Sequence, residues 1–215
     1  MIDVRVFYKK YGRAIYISHL DLNRLMQRAL ARAKLPVWFT QGFNPHLYLT
    51  FPLPLSLGVT GLCETMDFRL TKELSFNEVK TVLNKVLPEG IKILRVSSPV
   101  NKPEAIAKSG YEILLNAEGL DKQKMETHLN SREIMVDKKT KKGIKTIDIK
   151  PFLFMFSCKD EENDIKVSLT LPAGGQNNIN PGLIIDNFLR SGNYHVTKYN
   201  LTRTGVMLED GSLFC

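Results

Sequence analysis

QGFNPH (Gln41–His46) and FPLPLSLG (Phe51–Gly58) stand close together in the chain. Their prolines and glycines oppose helix formation and regular central strands, so they predict a long, stiff, non-helical loop. Ordered loops of this kind on small domains usually carry functional residues. We therefore expect regular elements on either side of the loop and a binding surface on the loop itself.

A predicted helix precedes the loop. Ser18 and Asp21 have the spacing of a capping box, with Asp in place of Glu, and Pro36 stops the helix near Leu35. Apolar residues recur at helical spacing and form a buried stripe, at Leu22, Leu25, Met26, Ala29, Leu30 and Ala33. A second face carries like charges four residues apart, at Arg24, Arg28 and Arg32. Such pairs cost an isolated helix a few tenths of a kcal/mol each, a cost that an anionic partner would offset and that solvent also tolerates.

The other predicted strands and helix of the first half complete the element order of a known fold. Alternating apolar residues predict strands at residues 2–8, 14–17, 37–39, 62–70 and 91–96. Ser75–Glu78 is a second capping box, and the helix that it opens stops at Pro88–Gly90. The resulting β-α-β-β-α-β order, with one extra short strand near the N-terminus, is the ferredoxin-like pattern.

The element order then repeats after a polar, proline-containing connection at residues 97–108. Strands are predicted at residues 111–115, 133–136, 144–149, 152–158, 165–171 and 194–201, and helices at 120–129 and from Asn180–Pro181 onward. The sequence thus predicts an α+β protein of two ferredoxin-like (split βαβ) modules with mainly antiparallel sheets, at residues 1–98 and 109–215.

The totals limit the class of protein. The chain has 215 residues, and no apolar run approaches the roughly 18 residues of a membrane span, so we expect a cytoplasmic protein without membrane contact. Its three cysteines, Cys63, Cys158 and Cys215, are far apart, which argues against disulfides and against a zinc or iron–sulfur site. The net charge of +8 and the basic turns at Lys9–Lys10 and Lys138–Lys142 favour contact with nucleic acid.

Two histidines are the candidate catalytic residues, although no pattern assigns a reaction. His19 follows the helix cap and lies off the buried stripe, and His46 stands beside Asn44 in the loop. Exposed histidine, amide and aromatic side chains in one loop can stack on bases and hydrogen-bond to them. In the alternative interpretation the loop aromatics fill the core and His46 bonds a backbone carbonyl. Gly174–Gly175, ahead of a predicted helix N-terminus, form a candidate phosphate loop.

Several motifs resemble one family closely. They are Arg13-x3-Ile17-Ser18-His19-Leu20-Asp21-Leu22, Ala33-x-Leu35-Pro36, Gln41-Gly42-Phe43-Asn44-Pro45-His46 and Pro52-Leu53-Pro54-Leu55-x-Leu57-Gly58-Val59. The family is the radical-SAM-associated (radical-SAM-linked) domain of unknown function, found in bacteria fused to, or encoded beside, a cobalamin-binding radical SAM protein. The resemblance covers essentially the whole chain and is densest from Arg13 to Val59.

The resemblance implies a freestanding, non-catalytic partner of a radical SAM enzyme. Because the chain has no C-x3-C-x2-C motif, the iron–sulfur cluster, S-adenosylmethionine and cobalamin are expected on the partner and no cofactor in this chain. The family's gene neighbourhoods, often near ribosome and RNA-processing genes, imply a structured RNA substrate such as tRNA or rRNA. The binding residues that we expect are Arg13, His19, Arg24, Arg28, Arg32, Gln41, Phe43, Asn44 and His46.

Two alternative functions stay open. Duplicated ferredoxin-like modules with a histidine near the first helix also resemble CRISPR repeat-RNA-processing endoribonucleases, in which case His19 or His46 would act as general acid or base without a metal. The glycine-rich C-terminal loop of those enzymes is not matched by Gly205 and Gly211. In the second alternative the loop docks the radical SAM protein and RNA is not involved. The sequence leaves the substrate, the reaction and the oligomeric state open.

Overall fold

A computed structural model describes residues 1–140, 143–175 and 178–215. The chain divides into two compact units, one of residues 1–106 with 213–215 and the other of residues 107–212. The described residues form an α+β structure with mostly antiparallel sheet and four α-helices, which confirms the predicted class. None of the helices in these ranges is long and apolar enough to span a bilayer.

The first unit packs two helices against a four-stranded arrangement. Its elements are β1 (Ile2–Lys10), α1 (His19–Arg32), β2 (Leu49–Thr50), β3 (Thr60–Leu70), α2 (Phe76–Val86) and β4 (Ile91–Ser97). The strands lie in the order β4-β1-β3-β2, and each neighbouring pair is antiparallel. The core joins alternate residues of β1, such as Val4 and Val6, with Met26 and Leu30 of α1 and with Leu83 of α2.

Both predicted helix caps of this unit are confirmed. Ser18 Oγ accepts a hydrogen bond from Asp21 N at 3.1 Å, and Ser75 Oγ accepts one from Glu78 N at 3.1 Å. These bonds satisfy amide groups that a helix start leaves without a partner. The end of α1 comes earlier than expected, at Arg32, because Lys34 turns the chain with a φ of +53°.

Two strands predicted in the first half are wrong. Residues 14–17 belong largely to a 3-10 helix at Gly12–Tyr16, since Gly12 takes a φ of +57° and turns the chain sharply after β1. Residues 37–39 make only isolated bridges instead of a strand. The chain leaves the sheet at that point to form one side of a hairpin.

Strand β1 is buried on both faces, whereas its alternating pattern predicted one exposed face. Arg5 and Phe7, which point away from the helices, are 0% and 2% exposed. The C-terminal residues cover Arg5, whose Nη1 donates to Cys215 O at 2.6 Å and whose guanidinium lies 4.2 Å from the centre of the Phe214 ring. The Arg95 guanidinium lies 3.9 Å from the centre of the Phe7 ring. Leu213–Cys215, which the sequence placed in the second module, therefore lie in the first unit.

The second unit has the same strand arrangement. Its elements are β5 (Lys108–Ala117), α3 (Lys122–Leu129), β6 (Met135–Thr140), β7 (Gly143–Asp148), β8 (Met155–Glu161), β9 (Asp164–Pro172), α4 (Pro181–Ser191) and β10 (Val196–Met207). Its main strands lie in the antiparallel order β10-β5-β9-β8. If the strands of each unit's main sheet are numbered in chain order, both units have the spatial order fourth, first, third, second.

Two predictions for the second half need correction. Residues 144–149 were expected to continue the sheet, but β6 and β7 pair with each other in a separate two-stranded sheet, and β9 is paired on its two sides with β5 and β8. Strand β10 continues to Met207, well past the predicted end at Leu201, because it pairs with β5 as far as Lys108 across a register shift at Arg203. The tip residues Lys141–Lys142 lie outside the described residues.

Candidate nucleic-acid interface

An open groove of about 570 Å³ lies beside α1 in the first unit. Arg24, Arg28 and Arg32 line it, and we call it the arginine groove. The other lining residues are Ile17, Asp21, Leu25, Val86 and Pro88. The groove therefore combines three cationic side chains with a largely apolar wall.

The positive charge of the arginine groove is poorly compensated. Arg24 Nη1 lies 3.4 Å from Asp21 Oδ1, and both side chains are largely exposed, so this ion pair is weak. In the part of the chain that the structure describes, Arg28 and Arg32 have no ion-pair partner. A multiply charged anion would find free guanidinium groups here.

His19 does not contribute to the arginine groove. Nine residues, or about 2.5 helical turns, separate it from Arg28, so the two side chains point in opposite directions. The His19 ring contacts Phe51 edge-on, with ring centres 5.1 Å apart. The start of α1 thus contacts the Phe51–Gly58 stretch, and Gly58 N donates to Ile15 O at 2.9 Å nearby.

Residues 37–48 form a hairpin that carries the QGFNPH loop, and we call it the aromatic arm. Its two sides are joined by a hydrogen bond from Tyr48 N to Trp38 O at 3.3 Å and by a bridge between Phe39 and Leu47. At its base the Arg69 guanidinium lies 5.5 Å from the centre of the Trp38 ring and 4.5 Å from that of Tyr48. This base was not predictable from local patterns, because Arg69 belongs to β3 and no spacing in the sequence links it to the loop.

The tip of the aromatic arm presents most of the predicted loop residues to solvent. Gln41, Phe43 and Asn44 are exposed, and Phe43 is fully so. His46 is exposed as well, but its ring is held by the arm: its Nδ1 lies 3.0 Å from Thr40 Oγ1, and its backbone N donates to the same oxygen at 3.1 Å. The imidazole therefore helps to hold the turn, and the ring of Phe43 and the amides of Gln41 and Asn44 are the side chains of the tip that have no such role.

The remaining predicted residues have mixed positions. Arg13 is exposed on the 3-10 helix. Lys10, predicted to lie in an exposed basic turn, is 1% exposed and donates from Nζ to Ile17 O at 3.0 Å, so that part of the prediction is wrong. Its burial follows from its place at the end of β1, where it pairs with both neighbouring strands.

The candidate phosphate loop is only partly described. Gly174 and Gly175 have φ values of +73° and +50°, which suit a tight turn, and the next two residues lie outside the described ranges. Asn180 Oδ1 caps α4 by accepting from Gly182 N at 2.9 Å, as predicted.

The cysteines are not arranged for metal or nucleophilic chemistry. Among the described residues, no group of three or more His, Cys, Asp or Glu side chains is placed to hold a metal ion. Burial raises the pKa of Cys158 to about 11, and burial together with the neighbouring Glu64 raises the pKa of Cys63 above its ordinary value. Both therefore stay as protonated thiols at neutral pH.

His128 is a half-buried titratable group in the second unit. Its ring packs against Phe188 with centres 5.0 Å apart, and its Nε2 is buried without a hydrogen-bond partner among the described residues. Burial lowers the pKa of His128 below its ordinary value, since the charged ring would lose its hydration.

The stability of the second unit should consequently fall in mild acid. The unfolded chain binds a proton at His128 below about pH 6.5, whereas the folded chain takes it up only at lower pH. We expect urea midpoints to drop between pH 7.5 and pH 5.5, and His128→Phe to reduce this drop. The same drop in the variant would contradict the assignment to His128, and His195→Gln, at an exposed position, is the control.

Comparison with solved structures supports the fold alone. The chain is similar to one in "Crystal Structure of a Cbf5-Nop10-Gar1 Complex", with 12% sequence identity and a TM-score of 0.52. The likeness covers 94% of this chain and 48% of that chain, so this chain spans about half of its length. No curated protein matches the sequence.

A family model gives a more specific result. The model described as "Uncharacterized protein conserved in bacteria (DUF2344)" matches residues 4–181, which include α1, the arginine groove, the aromatic arm and most of the second unit. The chain therefore belongs to the DUF2344 family of conserved bacterial proteins.

Proposed function

We propose that this protein is a non-catalytic accessory protein of a radical SAM enzyme and that it binds the enzyme's structured RNA substrate, a tRNA or rRNA. The observation that carries the proposal is the arginine groove, in which Arg28 and Arg32 have no ion-pair partner among the described residues. Phosphate groups are the anions that such a row of guanidinium groups binds best, because each can accept two parallel hydrogen bonds.

The aromatic arm supplies a second kind of contact. RNA is recognised mainly at unstacked bases, which stack on aromatic side chains and hydrogen-bond through their edges. Phe43 offers an exposed ring, and Gln41 and Asn44 offer amide donors and acceptors beside it. In this proposal the groove holds the backbone and the arm tip contacts one or two bases.

The radical SAM partner rests on the sequence resemblance. The three cysteines, Cys63, Cys158 and Cys215, are free, and their positions do not form the cluster motif of a radical SAM enzyme. The iron–sulfur cluster, S-adenosylmethionine and cobalamin would then be bound by the partner in the cytoplasm. This chain would contribute substrate binding only.

We also propose that each unit is a ferredoxin-like module. The support is the strand order, which in both units places the fourth strand beside the first and the third beside the second, with two helices in each sequence. The β6–β7 hairpin would be an insertion after the first helix of the second module. Fold alone assigns no function to such modules.

A filter-binding titration of the full chain against bulk tRNA tests the RNA proposal. We expect binding at about 50 mM salt that weakens steeply by about 200 mM, because phosphate contacts release counterions. No measurable affinity at the lower salt concentration would overturn the proposal.

The absence of RNA binding would favour a second candidate, a protein-docking scaffold. One observation supports it: large apolar side chains are exposed in the motifs of the resemblance, at Tyr16, Leu20 and Leu57, and beside them at Phe39. The endoribonuclease alternative gains no such support, because no described contact joins His19 to His46 and each ring is held by a different neighbour.

A further inference from the structure

The strands β6 and β7 of the second unit, which we call the lysine hairpin (Met135–Thr140 and Gly143–Asp148), have a well-anchored base. Ile134 N donates to Asp148 Oδ1 at 2.8 Å, and Ile149 N donates to Ile134 O at 3.0 Å. Asn187 Nδ2 of α4 donates to Met135 O at 2.7 Å. Side chains at the base, including Val136, are buried. The direction in which the hairpin leaves the unit is therefore fixed.

Beyond its base the lysine hairpin is cationic, with Lys145 exposed and Lys138 half-buried. Residues 143–146 of β7 are all exposed. Lys138 lies directly opposite Lys145 across the two strands. Like charges in directly opposed positions destabilise a strand pair. The described residues provide neither lysine with an ion-pair partner, and Lys138 Nζ bonds only to the carbonyl of Asn178, at 3.0 Å.

The main sheet of the same unit contains a matched pair that is compensated. Lys159 lies directly opposite Lys166 on β8 and β9. There Lys166 Nζ is 3.2 Å from Glu112 Oε2 and 3.7 Å from Glu161 Oε2. In the main sheet one lysine of the opposed pair, Lys166, thus has two acidic partners, whereas neither lysine of the hairpin pair has an ion-pair partner among the described residues.

We propose that the lysine hairpin is an RNA-binding arm that contacts the sugar–phosphate backbone, so that the second unit makes phosphate contacts separate from those of the arginine groove. This inference rests on the proposed RNA function. Bound phosphates would compensate the opposed charges of Lys138 and Lys145. A lysine-rich surface fits phosphate better than it fits a protein partner, because protein interfaces are depleted in lysine and enriched in aromatic residues and arginine.

The test compares salt dependences of tRNA binding for full-length variants. Lys138→Gln/Lys145→Gln should lower the slope of log K against log salt by about 1.4 and weaken binding about 25-fold at about 0.1 M salt, since each lost phosphate contact removes about 0.7 from the slope. Lys138→Arg/Lys145→Arg should retain the slope. The control Lys72→Gln/Lys159→Gln removes the same charge from exposed positions elsewhere and should change the affinity less than threefold.

Thermal melting separates lost contacts from lost structure. Removal of the opposed charges should leave the melting temperature of the glutamine variant unchanged or slightly raised. If Lys138→Gln/Lys145→Gln melts at a lower temperature than wild type, its loss of affinity could come from lost structure. The tRNA affinity of Lys138→Arg/Lys145→Arg is then the test, and weak binding by that variant would overturn the proposal.

The results also separate this inference from the proposed function. A wild-type chain that does not bind tRNA overturns both. A second outcome overturns only the proposal for the lysine hairpin. In that outcome, substitution of the arginine groove abolishes tRNA binding, but Lys138→Gln/Lys145→Gln binds tRNA as tightly as its control Lys72→Gln/Lys159→Gln.

Discussion

Replacing Arg24, Arg28 and Arg32 together by glutamine is expected to weaken tRNA binding about 100-fold at about 0.1 M salt. The three arginines lie at four-residue intervals on α1, so they share one face and rise about 6 Å from one to the next. A row of that kind can contact successive phosphates of one strand. Loss of three such contacts should lower the slope of log K against log salt by about 2.

The structural cost of the same substitutions should be small. All three side chains are exposed, and relief of the repulsion between residues four apart stabilises the helix by a few tenths of a kcal/mol per pair. A matched control replaces three exposed cations outside the groove, Lys72→Gln, Arg132→Gln and Arg190→Gln, and removes the same net charge. Equal loss of affinity in the control would mean that binding follows net charge and that the groove has no special role.

The sequence predicted α1 well because its signals are local. Ser18 and Asp21 fix its start, and the four-residue repeat of its arginines places them on one face whatever the helix packs against. The same holds for α2, whose Ser75 cap lies within its own first turn. The candidate site was found from sequence to the extent that it lies on such an element.

Residues that act through distant parts of the chain were not predictable in this way. The aromatic arm depends on Arg69, which β3 brings to Trp38 and Tyr48, and the two-residue strand β2 exists only because it pairs with β3. Arg5 stands at a polar position of an alternating strand, which is the pattern of a solvent-facing residue. Arg5 is buried by residues at the other end of the chain, and the alternating pattern of β1 contains no information about them.

Arg5 is accordingly the position at which we expect the largest loss of stability. Its side chain is 0% exposed, and it makes a bidentate pair with Asp67, from Nε to Oδ1 at 2.8 Å and from Nη2 to Oδ2 at 2.7 Å. Its Nη1 donates to the backbone carbonyls of Asn101 at 3.0 Å and Cys215 at 2.6 Å. A single guanidinium thus joins β1, β3, the segment after β4 and the C-terminal residues.

Removal of one partner of a buried ion pair commonly costs about 3–5 kcal/mol, because the other charge is left buried without compensation. Arg5→Met should therefore lower the free energy of unfolding of the first unit by about that amount in urea titrations monitored by circular dichroism. Arg5→Lys should recover little of it, since an ammonium group cannot make the bidentate pair and both carbonyl bonds together.

The double variant Arg5→Met/Asp67→Leu shows whether Arg5→Met loses stability through a packing defect or through the uncompensated charge of Asp67. Because it removes both charges, it should be more stable than Arg5→Met alone, although the carbonyls of Asn101 and Cys215 still lose their donor. Asp160→Asn, which removes the partly exposed pair with Lys122 at 3.7 Å, should change stability by less than about 1 kcal/mol. A double variant no more stable than Arg5→Met would show that packing around the guanidinium, including its contact with Phe214, outweighs the ion pair in holding the C-terminal residues on the first unit.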